Sequence, residues 1–495
     1  MTLLQLGVFA LLALLGGALV PPRARGWLLL AASVLALYWL QPLTPLRSFD
    51  FWFPTATLAL TVFVWAATQP VPAPPARVPA AGAAAPPAKA LPPAPVVDQR
   101  DTLVTAGVLA ALVVLIALLR YLGPLCCLTP DRPPALLSVL TAVAVVAALA
   151  ALLWRVPHAG WLWGGGVVLL LALFVALKTE PLGRALSAGL RALNGQSPGL
   201  ALAADLRWLG FSYVAFRLLH VLRDRALGRL PAVSLREFVT YALFFPALTA
   251  GPIDRVERFV KDTRGPFKLD PAGLAEGGAR LVLGVFKKFV LADSLALAAL
   301  NATNAAQTTS TLWLWVLVYA YAWRLYLDFS GYTDIALGVA RLAGVRLPEN
   351  FDRPYTRPNL TLFWNSWHIT LSQWFRAYVF NPLTRWLRAR PLPAPAIIFL
   401  TQFVVMLLIG LWHGVTLNFV LWGLWHGLGL FIHNRWADFT KPRAAALDGR
   451  PRLKLAAHWL GVFLTFHFVT LGWVWFVLPT PALALRVFGV LFGLG

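Results

Sequence analysis

Long apolar runs dominate this chain, and they restrict its fold more than any other feature. They cover residues 2–20, 27–41, 51–68, 103–122, 135–154, 161–177, 280–300, 311–327, 394–412, 415–432 and 456–478. A helix needs about 20 apolar residues to cross the hydrocarbon core, where its backbone must satisfy its own hydrogen bonds. Hydrophobic residues make up 59% of the chain and charged residues 13%, against about a quarter charged in soluble domains. The sequence therefore predicts an all-α, polytopic integral membrane protein with roughly ten to twelve transmembrane helices.

The connecting segments carry a strong positive charge. The net charge is +22, concentrated in short basic segments between the apolar runs. Such segments interact with anionic lipid beside a membrane, so the charge favours membrane lipid over nucleic acid as a partner. Basic residues flank both ends of several runs, so the sequence leaves the orientation open. The more mixed stretches 206–222 and 236–250 are predicted to be interfacial or re-entrant.

Charged residues within apolar runs mark a first candidate site, because a charge is costly in the membrane and usually faces a partner or a cavity. Arg324 and Asp328 are four residues apart on one predicted helical face and can neutralise each other. That pairing does not explain the polar residues Ser330, Tyr332 and Asp334, which follow it beside a predicted glycine break.

A second candidate site lies between residues 347 and 383. A helix is predicted from Leu362 onward, and at 100° per residue it places Asn365, His368, Ser372 and Arg376 in one polar stripe. The opposite side carries the bulky residues Trp364, Trp367, Leu371, Trp374 and Tyr378, against lipid or core. A histidine beside an amide, a hydroxyl and a guanidinium indicates a site rather than a single satisfied side chain.

The sequence contains the tripeptide Trp-His-Gly twice, around His413 and around His426. His413 stands between two glycines where one apolar run ends and the next begins, so a substrate could approach it. His426 lies inside the next run among glycines, which pack membrane helices closely, and we interpret it as structural. A neutral imidazole can take a proton from a hydroxyl that attacks an ester or thioester carbonyl. Two imidazoles are too few ligands for zinc, so no metal is predicted.

Four stretches together resemble one family, the membrane-bound O-acyltransferases, and in particular its bacterial branch that acetylates alginate or D-alanylates teichoic acids. They are "FFPALTAGPIDRVERF", "YLDFSGYTDIALGVARLAGVRLPENFDRPY", "FWNSWHITLSQWFRAYVFNPL" and "LIGLWHGVTLNFVLWGLWHGL". The chain departs from the pattern at Ala377, where the branch often has aspartate, in its proline-rich insertion, and in "WVWFVLPTP", which lacks an arginine.

The resemblance implies tilted and re-entrant helices around a central funnel, with His413 and His368 at the positions of the family's two catalytic histidines. It implies an O-acyltransferase that moves a short acyl group onto a hydroxyl of an envelope polysaccharide; acetyl is favoured, and D-alanyl is the alternative. The expected co-substrate is a cytoplasmic thioester, acetyl-CoA or an acyl-carrier protein, with no bound cofactor. A second envelope protein that relays the acyl group is a further candidate partner, and the cell's inner membrane is the expected location.

The candidate substrate-binding residues are the polar stripe and its neighbours Trp364 and Trp367, together with the acidic and hydroxyl group of the first site. In full they are Asn365, Ser372, Arg376, Trp364, Trp367, Ser330, Tyr332 and Asp334. The predicted division of the chain is N-terminal helices at 1–68, a proline- and alanine-rich linker at 69–99, helices at 100–204, a catalytic core at 205–435 and C-terminal helices at 436–495.

Two other functions remain open on the sequence alone. A transporter or flippase would use Arg324, Asp328 and Asp334 as an intramembrane relay, although no internal repeat supports it. A non-catalytic scaffold of an envelope-modifying complex would use the proline-rich linker for docking.

Overall fold

A computed structural model describes residues 2–69, 98–123, 126–155, 160–265, 269–446 and 449–494. Most of the predicted linker, residues 70–97, lies outside this described part. Within it, the chain forms α-helices, short 3₁₀ and π segments, and no strand longer than one bridge. The α-helices are α1 (Leu3–Leu19), α2 (Pro22–Trp39), α3 (Phe49–Ala67), α4 (Gln99–Leu118), α5 (Leu136–Arg155), α6 (Gly160–Lys178), α7 (Glu180–Leu193), α8 (Phe211–Ala226), α9 (Leu235–Leu243), α10 (Val256–Arg264), α11 (Pro271–Val285), α12 (Asp293–Ala296), α13 (Ala302–Gln307), α14 (Thr311–Leu342), α15 (Leu360–Trp364), α16 (Ile369–Phe375), α17 (Asn381–Arg388), α18 (Ala394–His413), α19 (Leu417–Ala446), α20 (Pro451–Val477) and α21 (Pro481–Leu491).

Six of the described helical segments are long and apolar enough to cross a membrane. They are α3, α4 with the turn that extends it to Tyr121, α5, α6, α18 and α20. The prediction of an all-α, polytopic membrane protein is confirmed, and the total of ten to twelve spans stays a prediction.

The buried apolar side chains form two main clusters, and α14 belongs to both. The first cluster joins α1–α6 and α8–α10 to the second half of α14. The second joins the first half of α14 to α15, α16 and α18–α21. One long helix therefore connects the two halves of the molecule.

Glycines bring α11 and α14 into close contact. A Cβ at Gly284 would lie 2.6 Å from the carbonyl oxygen of Gly331, and one at Gly331 would lie 2.9 Å from the carbonyl oxygen of Gly284. The helix α14 continues through Gly331 without interruption. The predicted glycine break is therefore wrong, because this glycine serves helix packing rather than a turn.

The pair α18–α19 is packed in the same way. A Cβ at Gly410 would collide with the carbonyl oxygen of Phe419, and one at Gly423 would lie 2.7 Å from that of Met406. This antiparallel pair contains both Trp-His-Gly sequences.

Several helix ends are tied together at one face of the bundle, which we call the arginine face. Arg25 donates to the carbonyl of Ala343, which joins the start of α2 to the end of α14. Arg264 donates to Glu237, which joins the end of α10 to the start of α9. Burial raises the pKa of Glu237, but the hydrogen bonds from Arg264 outweigh it and hold this pKa below its usual range.

The same face includes the starts of α4 and α9 and the ends of α3, α5 and α8. Arg236 pairs with Asp101 at 3.7 Å, and Arg225 donates to the carbonyl of Gln69 at 2.7 Å. At the face or beside it are Arg23, Arg25, Arg100, Arg155, Arg223, Arg225, Arg229, Arg236, Arg255, Arg258, Lys261, Arg264, Arg341 and Arg346.

Candidate active site

His413 is the last residue of α18, at a junction between two long helices. Gly414 caps α18 in an extended conformation before α19 begins. The imidazole is half-buried and packs against the ring of Phe476, at 4.7 Å between centroids, and the ring of Trp422, at 5.6 Å. Aromatic rings therefore cover one side of His413, and the residue remains partly accessible.

The segment that carries His368 is not the continuous helix that we predicted from Leu362. α15 ends at Trp364, and α16 begins at Ile369. His368 is the N-cap of α16 in the left-handed region, with φ of 43°, a strained conformation for a residue with a Cβ. The helix breaks because the backbone here pairs instead with the loop before it: Ile369 N–H donates to the carbonyl of Asn350 at 2.9 Å.

Asn350 determines which nitrogen of His368 carries the proton. Its Oδ1 accepts from the backbone N–H of Thr370 at 3.1 Å and from the Thr370 hydroxyl at 2.9 Å, which identifies this atom as the oxygen. His368 Nδ1 lies 3.1 Å from the same oxygen and must therefore donate to it. Nε2 is left with its lone pair, and it is buried with no hydrogen-bond partner among the described residues.

Trp412 contacts both candidate histidines. Its ring centroid lies 6.0 Å from that of His368 and 4.4 Å from that of His413. Its indole Nε1 is buried and has no acceptor in the described part of the chain. A hydrogen-bond donor and an acceptor, both unsatisfied, thus lie beside a reachable imidazole, and such buried groups require a water or a ligand.

Four of the predicted substrate-binding residues line one cavity of about 280 Å³ between α15, α16, α18 and α19. They are Trp364, Asn365, Ser372 and Arg376. Arg376 donates to Asn365 Oδ1 at 2.6 Å, so part of the predicted polar stripe does come together although the helix is broken.

The same cavity is lined by Thr361 and Gln402, whose hydroxyl and amide oxygen are buried without a partner within the described residues. Its wall includes Ile409, one helical turn before His413. The buried Trp367 belongs to the core beneath the site and does not line the cavity.

The candidate residues on α14 lie outside this cavity, and two of the three already have hydrogen-bond partners. Asp334 accepts from Arg280 at 2.6 Å and from Lys287 at 2.7 Å, and the Tyr332 hydroxyl bonds the hydroxyl of Thr249. Ser330 Oγ is buried without a partner in the part of the chain that the structure describes. Neither Ser330, Tyr332 nor Asp334 lines the cavity.

Asp328 pairs with Lys288 and not with Arg324. The predicted Arg324–Asp328 pair is therefore wrong, because the π-helical segment that continues from α11, Phe286–Ala292, brings Lys288 to Asp328. α14 does contribute to the histidine site through Phe329, whose ring lies 4.8 Å from that of His368.

The sequence profile of the membrane-bound O-acyltransferase family matches residues 149–473. This range covers well over half of the chain and contains both histidines, Asn350 and the cavity. The chain belongs to the membrane-bound O-acyltransferase family. The resemblance predicted from the motifs is confirmed, and so is O-acyltransferase as the class of enzyme.

Curated relatives in this family have different names and acceptors. A teichoic acid D-alanyltransferase of Streptococcus thermophilus is 34% identical over 55% of this chain and 68% of its own length. A protein of Pseudomonas aeruginosa named probable alginate O-acetylase AlgI is 35% identical over 58% of this chain and 52% of its own. A peptidoglycan O-acetyltransferase of Helicobacter pylori is 35% identical over 53% of this chain and 48% of its own. The matched part of the chain thus spans only about half the length of the two acetylating relatives.

His426 of this O-acyltransferase is fully buried in the second core cluster. It contacts the rings of Trp422 at 4.9 Å and Trp364 at 5.2 Å. Both of its ring nitrogens lack a hydrogen-bond partner among the described residues. A Cβ at Gly472 would lie 2.8 Å from its Nε2, so α20 approaches this imidazole closely.

One group of side chains in the described part of the chain has the spacing of a metal site. His220, Asp224 and Glu257 place one ligand atom each within 4.8 Å of the others. Asp224 also accepts from the Tyr378 hydroxyl at 2.8 Å. The group does not include His368 or His413, the predicted catalytic residues.

The sequence analysis missed two residues of this site, Asn350 and Trp412. Both stood in motifs that carried the family resemblance, "PENF" and "LWHG". Asn350 is 18 residues from His368 in the chain, so its contact depends on the path of the loop. Trp412 was visible only as the neighbour of His413.

Proposed function

We propose that this protein transfers a short acyl group, acetyl in the first place and D-alanyl as the alternative, from a thioester to a hydroxyl of an envelope polysaccharide. One observation carries the proposal. The buried Nε2 lone pair of His368, oriented by Asn350, lies with the unsatisfied indole N–H of Trp412 beside the accessible ring of His413.

His413 is the general base, because it is a half-buried residue at the junction of α18 and α19 rather than an enclosed one. It accepts the hydroxyl proton as that oxygen attacks the thioester carbonyl and a C–O bond forms. The carbonyl oxygen becomes negative, and the indole N–H of Trp412 donates to it. When the C–S bond breaks, the imidazolium of His413 returns the proton to the thiolate, so the step yields one ester and one thiol.

His368 supports this base. Its Nδ1–H is committed to Asn350, so only its Nε2 lone pair is available, and it can accept a hydrogen bond from an imidazolium or from a substrate N–H. Packing of Phe329 and Trp412 against the ring holds the imidazole in place.

The thioester donor reaches the histidines through the cavity lined by Arg376 and Asn365. The unpartnered Thr361 hydroxyl and Gln402 amide oxygen offer hydrogen bonds to the amides of an acyl-pantetheine arm, which acetyl-CoA and an acyl-carrier protein share. From the concentration of arginines we infer that the arginine face lies in the cytoplasm of a cell-membrane protein. His413, at the opposite end of the 20-residue helix α18 from Ala394, then receives the acceptor from the other side.

The acceptor is a polysaccharide of the cell envelope, in keeping with the names of the alginate and peptidoglycan relatives. Delivery of the ester to a distant polymer would involve a second envelope protein that receives the acyl group.

The test is mass spectrometry of envelope glycans and lipids from cells that produce the wild type, His413→Ala, His368→Ala or the control His458→Ala. His458 is exposed on α20 and belongs to neither core cluster. Loss of the base lowers an acid–base-catalysed step by about 10²–10⁴-fold, so His413→Ala abolishes one ester of defined mass, while the control keeps it. An unchanged ester level in His413→Ala, with normal insertion of the protein, contradicts the mechanism. Movement of a solute across vesicles without any thioester would instead indicate a transporter.

A further inference from the structure

An apolar cavity lies among α3, α4 and α5, and neither His368 nor His413 lines it. Its volume is about 360 Å³, within the range of small-molecule sites. Small side chains create it, because α4 and α5 face each other there with alanines such as Ala106, Ala110, Ala147 and Ala151. α5 is almost unburied, with Val139 as its one fully covered residue.

The lining of this cavity has no polar group that needs a ligand. The Thr55 hydroxyl donates to the carbonyl of Phe51 at 2.8 Å, and that of Thr102 donates to Asp98 at 3.0 Å. The Trp65 indole donates to the carbonyl of Val233 at 3.0 Å. Since α3, α4 and α5 are all candidate membrane spans, the occupant that suits this cavity is a hydrocarbon chain.

One end of the cavity lies close to the arginine face. Thr102 and Trp154 line it there, next to the start of α4 and the end of α5. Arg100 and Arg155 are exposed at these two helix ends, and neither has a carboxylate within ion-pair distance in the described part of the chain. A chain lying in the cavity would therefore bring its head group between two free guanidinium groups.

We propose that this cavity is a binding site for a diacyl phospholipid with an anionic head group, one acyl chain lying among the alanines and the head group between Arg100 and Arg155. Most of the cavity precedes residue 149, where the match to the acyltransferase family begins. The lipid thus binds to the N-terminal helices and is not a substrate of the histidine site.

The test uses the full-length protein in vesicles that contain a phosphatidylglycerol with a photoreactive diazirine on one acyl chain. After illumination, mass spectrometry of the peptides locates the attached lipid. We expect labels on residues 99–118 and 136–155 of the wild type. The same diazirine on phosphatidylcholine labels these peptides less, by about fivefold for each arginine that contacts the head group at low ionic strength.

Two matched variants separate the cavity from the surrounding lipid. Ala147→Phe fills the cavity and removes the label from buried lining residues such as Leu109 and Val113, whereas Ala148→Phe, on the next residue of α5 and outside the lining, keeps it. The double variant Arg100→Gln with Arg155→Gln keeps labelling but loses the preference for the anionic lipid. These results would not depend on acyl transfer, which each variant retains.

Equal labelling of the wild type and Ala147→Phe, or equal labelling by the two lipids in the wild type, overturns the proposal. So does a wild type without label that becomes labelled when residues 70–97 are deleted, since the cavity would then be filled by this segment of the same chain.

Discussion

The helix pairs α11–α14 and α18–α19 are packed alike but carry different polar groups. Both rely on glycines that bring backbones into contact, Gly284 with Gly331 in the first pair and Gly410 with Phe419 in the second. Between α11 and α14, every carboxylate named above has a cation: Asp334 has Arg280 and Lys287, and Asp328 has Lys288.

The second pair lacks such internal pairing. Within the described residues, the indole of Trp412 has no acceptor, and both nitrogens of His426 and Nε2 of the neighbouring His368 have no partner. A buried polar group without a partner costs stability, and natural proteins retain such groups mainly at functional sites. The first pair therefore holds its carboxylates in ion pairs, whereas the unsatisfied groups of Trp412 and His368 beside the second pair are those on which the proposed mechanism rests.

The largest effect that tests this comparison comes from Trp412→Phe. If the indole N–H stabilises the developing oxyanion, its loss lowers the rate of acyl transfer by about 10²–10³-fold, with little change in thermal stability. The control is Trp425→Phe, because Trp425 Nε1 already donates to the carbonyl of Phe468 at 3.0 Å. We expect the control to lower stability and to keep activity. Retained activity in Trp412→Phe together with lost activity in Trp425→Phe would contradict this comparison.

The next effect comes from Asn350→Ala. Without Oδ1, Nδ1 of His368 loses its acceptor and the imidazole its orientation, and a misplaced catalytic group costs about 10²-fold in rate. In Asn350→Asp, the carboxylate can accept the same hydrogen bonds, so we expect more activity than in the alanine variant. Its negative charge favours an imidazolium nearby, so the acid limb of its pH–activity profile shifts to higher pH. A profile identical to the wild type in Asn350→Asp would show that Asn350 only supports the fold.

A smaller effect, on stability rather than on chemistry, is expected from Gly284→Ala. The added methyl group would meet the backbone of Gly331 and separate α11 from α14, and overpacking costs about 1–3 kcal/mol. Gly278→Ala on the same helix meets nothing within 4 Å and serves as its control. Thermal unfolding of the two variants in detergent measures the difference, and equal midpoints would contradict close packing of this pair.

A comparable effect on stability is predicted for Asp334→Asn. An amide replaces a carboxylate that accepts from Arg280 and Lys287, and loss of hydrogen bonds to a charged group costs about 2 kcal/mol. We expect a lower unfolding midpoint and unchanged acyl transfer by the folded protein. Complete loss of activity in a stable Asp334→Asn protein would instead support the relay role that a transporter needs.

The sequence predicted the helical membrane fold and the family well, because both depend on local patterns. Apolar runs such as 394–412 and 456–478 became the spanning helices α18 and α20. The predicted grouping of Asn365 and Arg376 was also correct, as their hydrogen bond shows. The roles of His368 and His413 in catalysis stay predictions.

The errors concern contacts between segments that are distant in the chain. Helical spacing paired Arg324 with Asp328, but Lys288 of the neighbouring helix is the actual partner. A helix through His368 fitted the polar stripe, but the backbone of Asn350 competes for hydrogen bonds there and ends it. Gly331 had the appearance of a break, and only the presence of Gly284 opposite it explains why the helix continues.

By itself, then, the sequence determined that this chain is a helical membrane protein of the acyltransferase family with two histidines to consider. Hydrophobicity and motif order are properties of the chain, and they need no knowledge of neighbours. The tertiary structure was needed to show which imidazole nitrogen is free, that Trp412 contacts both histidines and that an apolar cavity lies among α3, α4 and α5. Each of these depends on which distant groups meet, because a hydrogen bond, an ion pair or a cavity exists only between surfaces that the fold has brought together.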